Sequence, residues 1–129
     1  GNDSLLGENG NDTLLGQDGN DIVRGGAGAD SLVGGGGLDT LIGDTGNDTL
    51  TGNSGADMFL FTLVWEDDTI TDFELGIDTV RIQGGFDASD ITFSAVGGNA
   101  LATLITGDSI LFIGRTIAQL NSFADFDFV

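Results

Sequence analysis

The sequence has no cysteine, proline, histidine, lysine or tyrosine, and its only basic residues are Arg24, Arg81 and Arg115. Without cysteine there is neither a disulfide framework nor a thiolate metal site, and thiols cannot indicate the redox compartment. Without His, Cys, Lys or Tyr, acid–base or nucleophilic chemistry would rest on carboxylates alone. Long apolar runs are missing too: the most apolar, MFLFTLVW at 58–65, falls far short of the roughly 20 residues of a membrane-spanning helix. Scarce positive charge has the widest consequence. Twenty-one acidic residues against three basic ones give a net charge of −18, which repels DNA, RNA and anionic lipid. Such a chain also repels itself unless small hard cations sit among its carboxylates when it folds.

What is present is glycine and aspartate at a fixed interval. Asp3, Asp12, Asp21, Asp30, Asp39, Asp48 and Asp57 follow one another every nine residues. From Gly7 to Leu60 the chain reads GENGNDTLL, GQDGNDIVR, GGAGADSLV, GGGGLDTLI, GDTGNDTLT and GNSGADMFL, after a half-unit GNDSLL. The pattern is G-x-x-G-x-D-x-U-x, in which U is apolar: Leu5, Leu14, Val23, Leu32, Leu41, Leu50 and Phe59. At 129 residues and 40% hydrophobic content the chain is expected to form one module with a core. Because Gly1 stands in mid-pattern, the sequence is expected to be a segment of a longer protein.

Glycine at the first and fourth positions permits positive φ and close backbone approach, so the first six residues of each unit are expected to turn. The last three are expected to form a short strand, with U facing one side and its neighbours the other. Two nonapeptides then complete a flat coil of 18 residues, and unit n stacks on unit n+2 at about 4.8 Å. The aspartates fall into two columns, Asp3/Asp21/Asp39/Asp57 and Asp12/Asp30/Asp48. Carboxylates at that spacing require a cation between consecutive coils. Calcium suits the site, since it accepts six to eight oxygens with loose angular demands and glycine turns offer unobstructed carbonyls; magnesium demands a strict octahedron.

This nonapeptide resembles the calcium-binding repeat of RTX proteins over residues 1–60. The resemblance implies an all-β fold, a right-handed parallel β-roll of Gly/Asp-rich nonapeptides (1–60), degenerate turns continuing it (61–83) and an antiparallel β cap (84–129). It also implies that each ion is held by carbonyls at positions 2 and 4 and the aspartate of one coil, and by carbonyls at positions 1 and 3 and the aspartate of the next. One site would then join Glu8, Gly10 and Asp12 to Gly25, Ala27 and Asp30, and another Gln17, Gly19 and Asp21 to Gly34, Gly36 and Asp39. A third would join Gly26, Gly28 and Asp30 to Gly43, Thr45 and Asp48, and a fourth Gly35, Gly37 and Asp39 to Gly52, Ser54 and Asp57. A fifth, from Gly1 and Asp3 to Gly16, Asp18 and Asp21, lacks its position-2 residue. Glu8, Gln17, Asp44 and Asn53 replace glycine at position 2, a change that a carbonyl ligand survives. About four to six calcium ions are expected.

Beyond Leu60, EDDTIT (66–71) and LGIDTV (75–80) keep an x-D-x-U core, so Ile70 and Val80 are expected to extend the two strand stacks. Asp68 either closes a further site with Asp44, Gly46 and Asp48 or, with Asp72, caps a surface turn. Phe59, Phe61, Trp65 and Phe73 are read as core aromatics at the junction. Strands are expected at 91–96, 100–105 and 109–113, a short helix at 115–123 and a terminal strand in DFDFV. DTITDFELGIDTV and ADFDFV resemble the C-terminal cap of RTX proteins, including serralysin-type proteases and bacterial surface proteins.

The function implied is a calcium-binding, monomeric C-terminal module of a secreted bacterial protein, exported unfolded through the type I secretion machinery and folded by extracellular calcium. Asp127, Phe128 and Val129 resemble the acidic-plus-apolar end of such export signals. No catalysis is expected, although Glu66, Asp67 and Asp72 could offer a carboxylate pair. The alternative is an extracellular polysaccharide-binding or adhesion module; a polyanionic glycan would be repelled, a neutral one would not. Ice binding, which in similar RTX-like antifreeze domains uses Thr at position 3 and Asn at position 5 down one face, is matched in both positions only by Thr45 with Asn47.

Overall fold

The computed structural model describes residues 1–62, 66–120 and 125–129. Its strands are β1 (Ser4–Asn9), β2 (Thr13–Asp18), β3 (Ile22–Ala27), β4 (Ser31–Gly36), β5 (Thr40–Thr45), β6 (Thr49–Ser54), β7 (Met58–Phe61), β8 (Asp67–Ile70) and β9 (Thr79–Ile82). They are followed by β10 (Ile91–Val96), β11 (Asn99–Leu104), β12 (Ser109–Phe112), a one-turn helix α1 (Ile117–Leu120) and β13 (Phe126–Phe128). Odd-numbered strands of the repeats build one sheet in the order β1-β3-β5-β7-β9-β13. Even-numbered ones build the other, in the order β10-β11-β12-β8-β6-β4-β2. Pairing within the repeats is parallel and offset by 18 residues, as in Leu5↔Val23 and Leu14↔Leu32, which is the signature of a parallel β-roll.

The U residues form a single file between the sheets. Val23, Leu32, Leu41, Leu50, Phe59, Ile70 and Val80 are fully buried, and Leu5 and Leu14 of the first coil are partly so. Ile70 pairs with Leu50 and Val80 with Phe59, so β8 and β9 carry the two stacks onward although the spacing has grown to 20 and 21 residues. Parallel pairing needs only the strands in register, so the longer spacing between units leaves it intact.

Two local expectations are corrected. Strands are six residues long rather than three, because pairing runs through position 9 into positions 2 and 3 of the next unit, as in Leu6↔Arg24, Glu8↔Gly26 and Asn9↔Ala27. The turn is confined to positions 4 to 6. Positive φ falls at positions 2 and 4, not 1 and 4: Glu8, Gln17, Asp44 and Asn53 all adopt φ between 68° and 77°. Position 1 is glycine for a different reason, described below.

The cap is not a separate layer. β10, β11 and β12 form the expected antiparallel meander, but β12 lies parallel on β8, and β13 lies parallel on β9, so both sheets of the roll continue into it. Of the expected helix at 115–123, α1 forms Ile117–Leu120, and residues 121–123 lie outside the described residues. Phe59, Phe61 and Phe73 are buried as expected; Trp65 and Phe123 lie outside the described residues. A chain of ring contacts, Phe59–Phe73 (6.0 Å), Phe73–Phe112 (5.3 Å), Phe112–Phe126 (6.0 Å) and Phe126–Phe93 (5.8 Å), ties the last coil to the cap. Rings at these separations contribute beyond the area they bury.

Leu32 is fully buried, whereas Leu15 on β2 is 54% exposed. Leu32→Ala should lower the unfolding free energy of the calcium-saturated protein by about 2–5 kcal/mol, and Leu15→Ala by less than about 0.5, measured by urea denaturation.

Candidate metal centre

Each column aspartate uses its two carboxylate oxygens differently. Oδ1 accepts the main-chain N–H of the aspartate in the coil before it: Asp21 from Asp3, Asp30 from Asp12, Asp39 from Asp21, Asp48 from Asp30 and Asp57 from Asp39, at 2.7–2.9 Å. Asp68 accepts from Asp48 in the same way at 2.8 Å. Oδ2 is buried and has no hydrogen-bond partner in Asp12, Asp21, Asp30, Asp39, Asp48, Asp57 and Asp68. A buried carboxylate oxygen left in this state is strongly unfavourable, so each column is built around something that binds anionic oxygen.

Position 1 supplies the space. A Cβ on Gly7 would stand 2.5 Å from the Gly25 carbonyl oxygen and 2.8 Å from Asp12 Oδ2. On Gly16 it would stand 2.5 Å from the Gly34 carbonyl and 2.6 Å from Asp21 Oδ2. Gly25, Gly34, Gly43 and Gly52 face Asp30, Asp39, Asp48 and Asp57 in the same manner. The space beside each position-1 glycine is therefore bounded by a carboxylate and, at Gly7, Gly16 and Gly25, by a carbonyl of the next coil, the hard oxygen donors that calcium takes. These are oxygens from both halves of the first three expected sites. The residues fit a hard divalent cation.

Other expected ligands are placed as follows. Carbonyls of Glu8, Gly10, Gln17, Gly19, Gly28 and Gly37 lie against Gly26, Gly28, Gly35, Gly37, Gly46 and Gly55 of the following coil. Carbonyls of Ala27, Gly36, Thr45 and Ser54 accept main-chain N–H bonds from Gly10, Gly19, Gly28 and Gly37 at 2.8–2.9 Å, which leaves one lone pair on each. The Asp44 side chain turns away to a two-pronged pair with Arg24. Asp3 is 64% exposed and the Asp18 carbonyl accepts from the Gly1 amine, so the fifth site is open to water. Among the described residues no three acidic side chains converge on one point. An ion in a column would thus take two carboxylates at most and complete its shell with carbonyls or water.

One role was not read from the sequence. Asn2, Asn11 and Asn20, at position 5, accept the main-chain N–H of Asn20, Ala29 and Leu38 in the coil that follows, at 2.9–3.0 Å. The recurrence of Asn before Asp was the available signal. Asp72, for which a surface-turn cap was one expectation, binds the Gly52 and Asn53 N–H groups within β6 with its two oxygens, at 2.9 and 2.8 Å.

Burial raises the carboxyls of the later coils: Asp48 and Asp57 to about 6 and Asp68 to about 7, with neighbouring carboxylates pushing the same way and the accepted N–H bonds opposing. Asp39 and Asp78 are raised as well, chiefly by burial.

Two parallel sheets with columns of half-satisfied aspartates between their coils define a cation-binding β-roll. The chain carries RTX calcium-binding nonapeptide repeats: residues 1–32 and 33–60 match that family's model, which spans four copies. Among solved structures it is similar to the AlgE6R3 subunit of the Azotobacter vinelandii mannuronan C5-epimerase, with 20% identity, a TM-score of 0.47, and coverage of 97% of this chain and 78% of that one. No curated protein matches.

Two outcomes follow from this geometry. Gly16→Ala should weaken calcium binding by roughly tenfold or more by filling the hollow beside Asp21, whereas Gly36→Ala, whose Cβ would meet only ordinary contacts at 3.5 and 3.6 Å, should leave it unchanged in calorimetric titration. The second concerns pH. Because these carboxyls titrate higher in the fold than the usual value near 4 of an unfolded chain, protons stabilise the metal-free fold at low pH, and that contribution is lost as pH rises through about 6 to 7. The calcium-free protein should therefore show more residual β signal by circular dichroism at about pH 5 than at about pH 7.5.

Proposed function

We propose that the chain is a calcium-folded module of a larger secreted protein, extended where calcium is scarce and collapsing into the roll where it is abundant. The observation that carries this reading is the row of buried Oδ2 atoms without a partner. Without an ion, stacked anionic oxygens oppose the coil, and one buried U side chain per nonapeptide, worth about 2 kcal/mol, is small beside the chain entropy of nine ordered residues. With an ion, each carboxylate pair becomes a cross-link between coils. The four complete sites, the open site at Asp3 and the Asp48/Asp68 position give about four to six ions. Asp44 and Gly46 would serve the last of these through their carbonyls.

On this reading the module is not itself a catalyst. Its partners are calcium and, before folding, the type I secretion machinery, which passes unfolded chains. The absence of cysteine suits a chain that folds outside the cell without oxidation. Among the described residues no helix is long and apolar enough to cross a membrane.

Circular dichroism in excess chelator should show a disordered chain that gains β signal on adding calcium; a full β signal without calcium would overturn the reading. Asp30 and Asp39 would each serve two ions and Asp57 one, so Asp30→Ala and Asp39→Ala should raise the calcium midpoint more than Asp57→Ala.

A further inference from the structure

Position 4 of the repeat has to be glycine, and position 3 does not. Gly10, Gly19, Gly28, Gly37, Gly46 and Gly55 adopt φ between 119° and 140°, and a Cβ on Gly28 would stand 2.2 Å from the Gly10 carbonyl oxygen. The residue before that glycine varies: Asn9, Asp18, Ala27, Gly36, Thr45 and Ser54. In one unit the combination is an Asn–Gly pair, Asn9–Gly10, the only one in the chain. Asparagine before glycine is the sequence in which a main-chain nitrogen most readily attacks the preceding side-chain amide, because no side chain shields that nitrogen or restricts the bend. Asp18–Gly19, the one Asp–Gly pair, would lose water instead of ammonia and reacts more slowly.

The roll holds this reaction back through the main chain. Asn9 is the last residue of β1 and pairs with Ala27 of β3, so its backbone is extended. The Gly10 N–H is committed to the Ala27 carbonyl oxygen at 2.8 Å. Ring closure needs the Gly10 nitrogen stripped of its proton and turned onto Asn9 Cγ, and the paired strand permits neither. The Asn9 side chain itself is exposed, so water reaches it freely.

We propose that Asn9–Gly10 is a deamidation site gated by the pairing of β1 with β3, shut in the roll and open in the extended chain. The Gly10 nitrogen bonds to Asn9 Cγ, the Cγ–Nδ2 bond breaks, and ammonia leaves carrying the Gly10 amide proton. Water then opens the five-membered imide. Breaking the bond from nitrogen to Cγ gives aspartate; breaking the bond from nitrogen to the Asn9 carbonyl carbon gives isoaspartate, whose main chain runs through the side chain and is one atom longer. Aspartate is harmless here, since Asp18 already stands at position 3 of the next unit. Isoaspartate is not. Glu8 and Gly10 flank the altered residue, their carbonyls are expected ligands beside Asp12, and an extra main-chain atom between them puts the two out of step with β3. The inference rests on the calcium-folding reading above in one respect: a chain waiting without calcium is altered at a residue that the calcium-bound roll preserves.

The test incubates the whole chain at mildly alkaline pH with calcium, with excess chelator, and in urea, with circular dichroism recording the fold in each. Trypsin then cuts after Arg24, and mass spectrometry of peptide 1–24 follows residue 9. Aspartate and isoaspartate should accumulate there roughly tenfold or more slowly in the folded chain than in the unfolded one, while Asn20, followed by Asp21 in the same peptide, changes little. Equal rates at Asn9 in calcium and in urea, or no conversion in urea, would overturn the inference. A full β signal in chelator would instead overturn the calcium reading, and the comparison of folded chain with urea would still decide the gate. After ageing in chelator and return to calcium, the isoaspartate form should hold one ion fewer by native mass spectrometry. Asn9→Ser, which carries at position 3 the residue type of Ser54, should keep the full number through the same treatment. An isoaspartate form with the full number of ions, or an equal loss in Asn9→Ser, would overturn the disabling of the site.

Discussion

The roll depends on a single carboxylate used twice. From Asp21 to Asp68, one oxygen of each column aspartate closes a hydrogen bond to the coil before it, and the other is buried without a hydrogen-bond partner among the described residues. The first interaction sets the stacking register. The second makes the stack conditional, because a buried anionic oxygen is tolerable only when a proton or a cation neutralises it. Other features of the nonapeptide serve that arrangement. Position 1 has no side chain because the hollow beside the carboxylate is there, and positions 2 and 4 turn left-handed where the coil bends round it. Position-5 asparagines bind turn N–H groups that would otherwise be idle.

A repeat of this kind has no intrinsic end, and its last coil would expose a fresh pair of strand edges and a buried-type side chain. The chain closes it in two ways. Along the sheets, β12 and β13 occupy the edges of β8 and β9. Along the core, the file of aliphatic U residues gives way to linked rings from Phe59 to Phe126 and Phe93. The electrostatic side of termination is handled by Asp72 and Asp78, whose oxygens are filled with main-chain N–H groups. The two other arginines act at the edges, Arg81 pairing with Asp127 across β9 and β13 and Arg115 donating to the Phe73 carbonyl.

Much of this was determined by the sequence alone. A strict nine-residue period in Asp and in an apolar position permits only a stacked coil with all aspartates on two lines and all U residues in one core file, so the fold class, the core and the columns could be read directly. The strands at 91–96 and near 100–105 and 109–113 were legible from alternation and turn residues. The tertiary structure decided what local pattern cannot carry. Whether position 1 is glycine for its dihedral or for its emptiness depends on an oxygen 18 residues away. That β13 joins β9 and β12 joins β8 depends on which edges remain open once the roll has formed. Asp68 and Asp78 sit in near-identical x-D-x-U words, yet one keeps a bare oxygen and the other does not, because only the folded loop brings the Glu74 N–H to Asp78. Periodicity specifies contacts that repeat; contacts made once, at the seam and the cap, exist only after the chain has closed on itself.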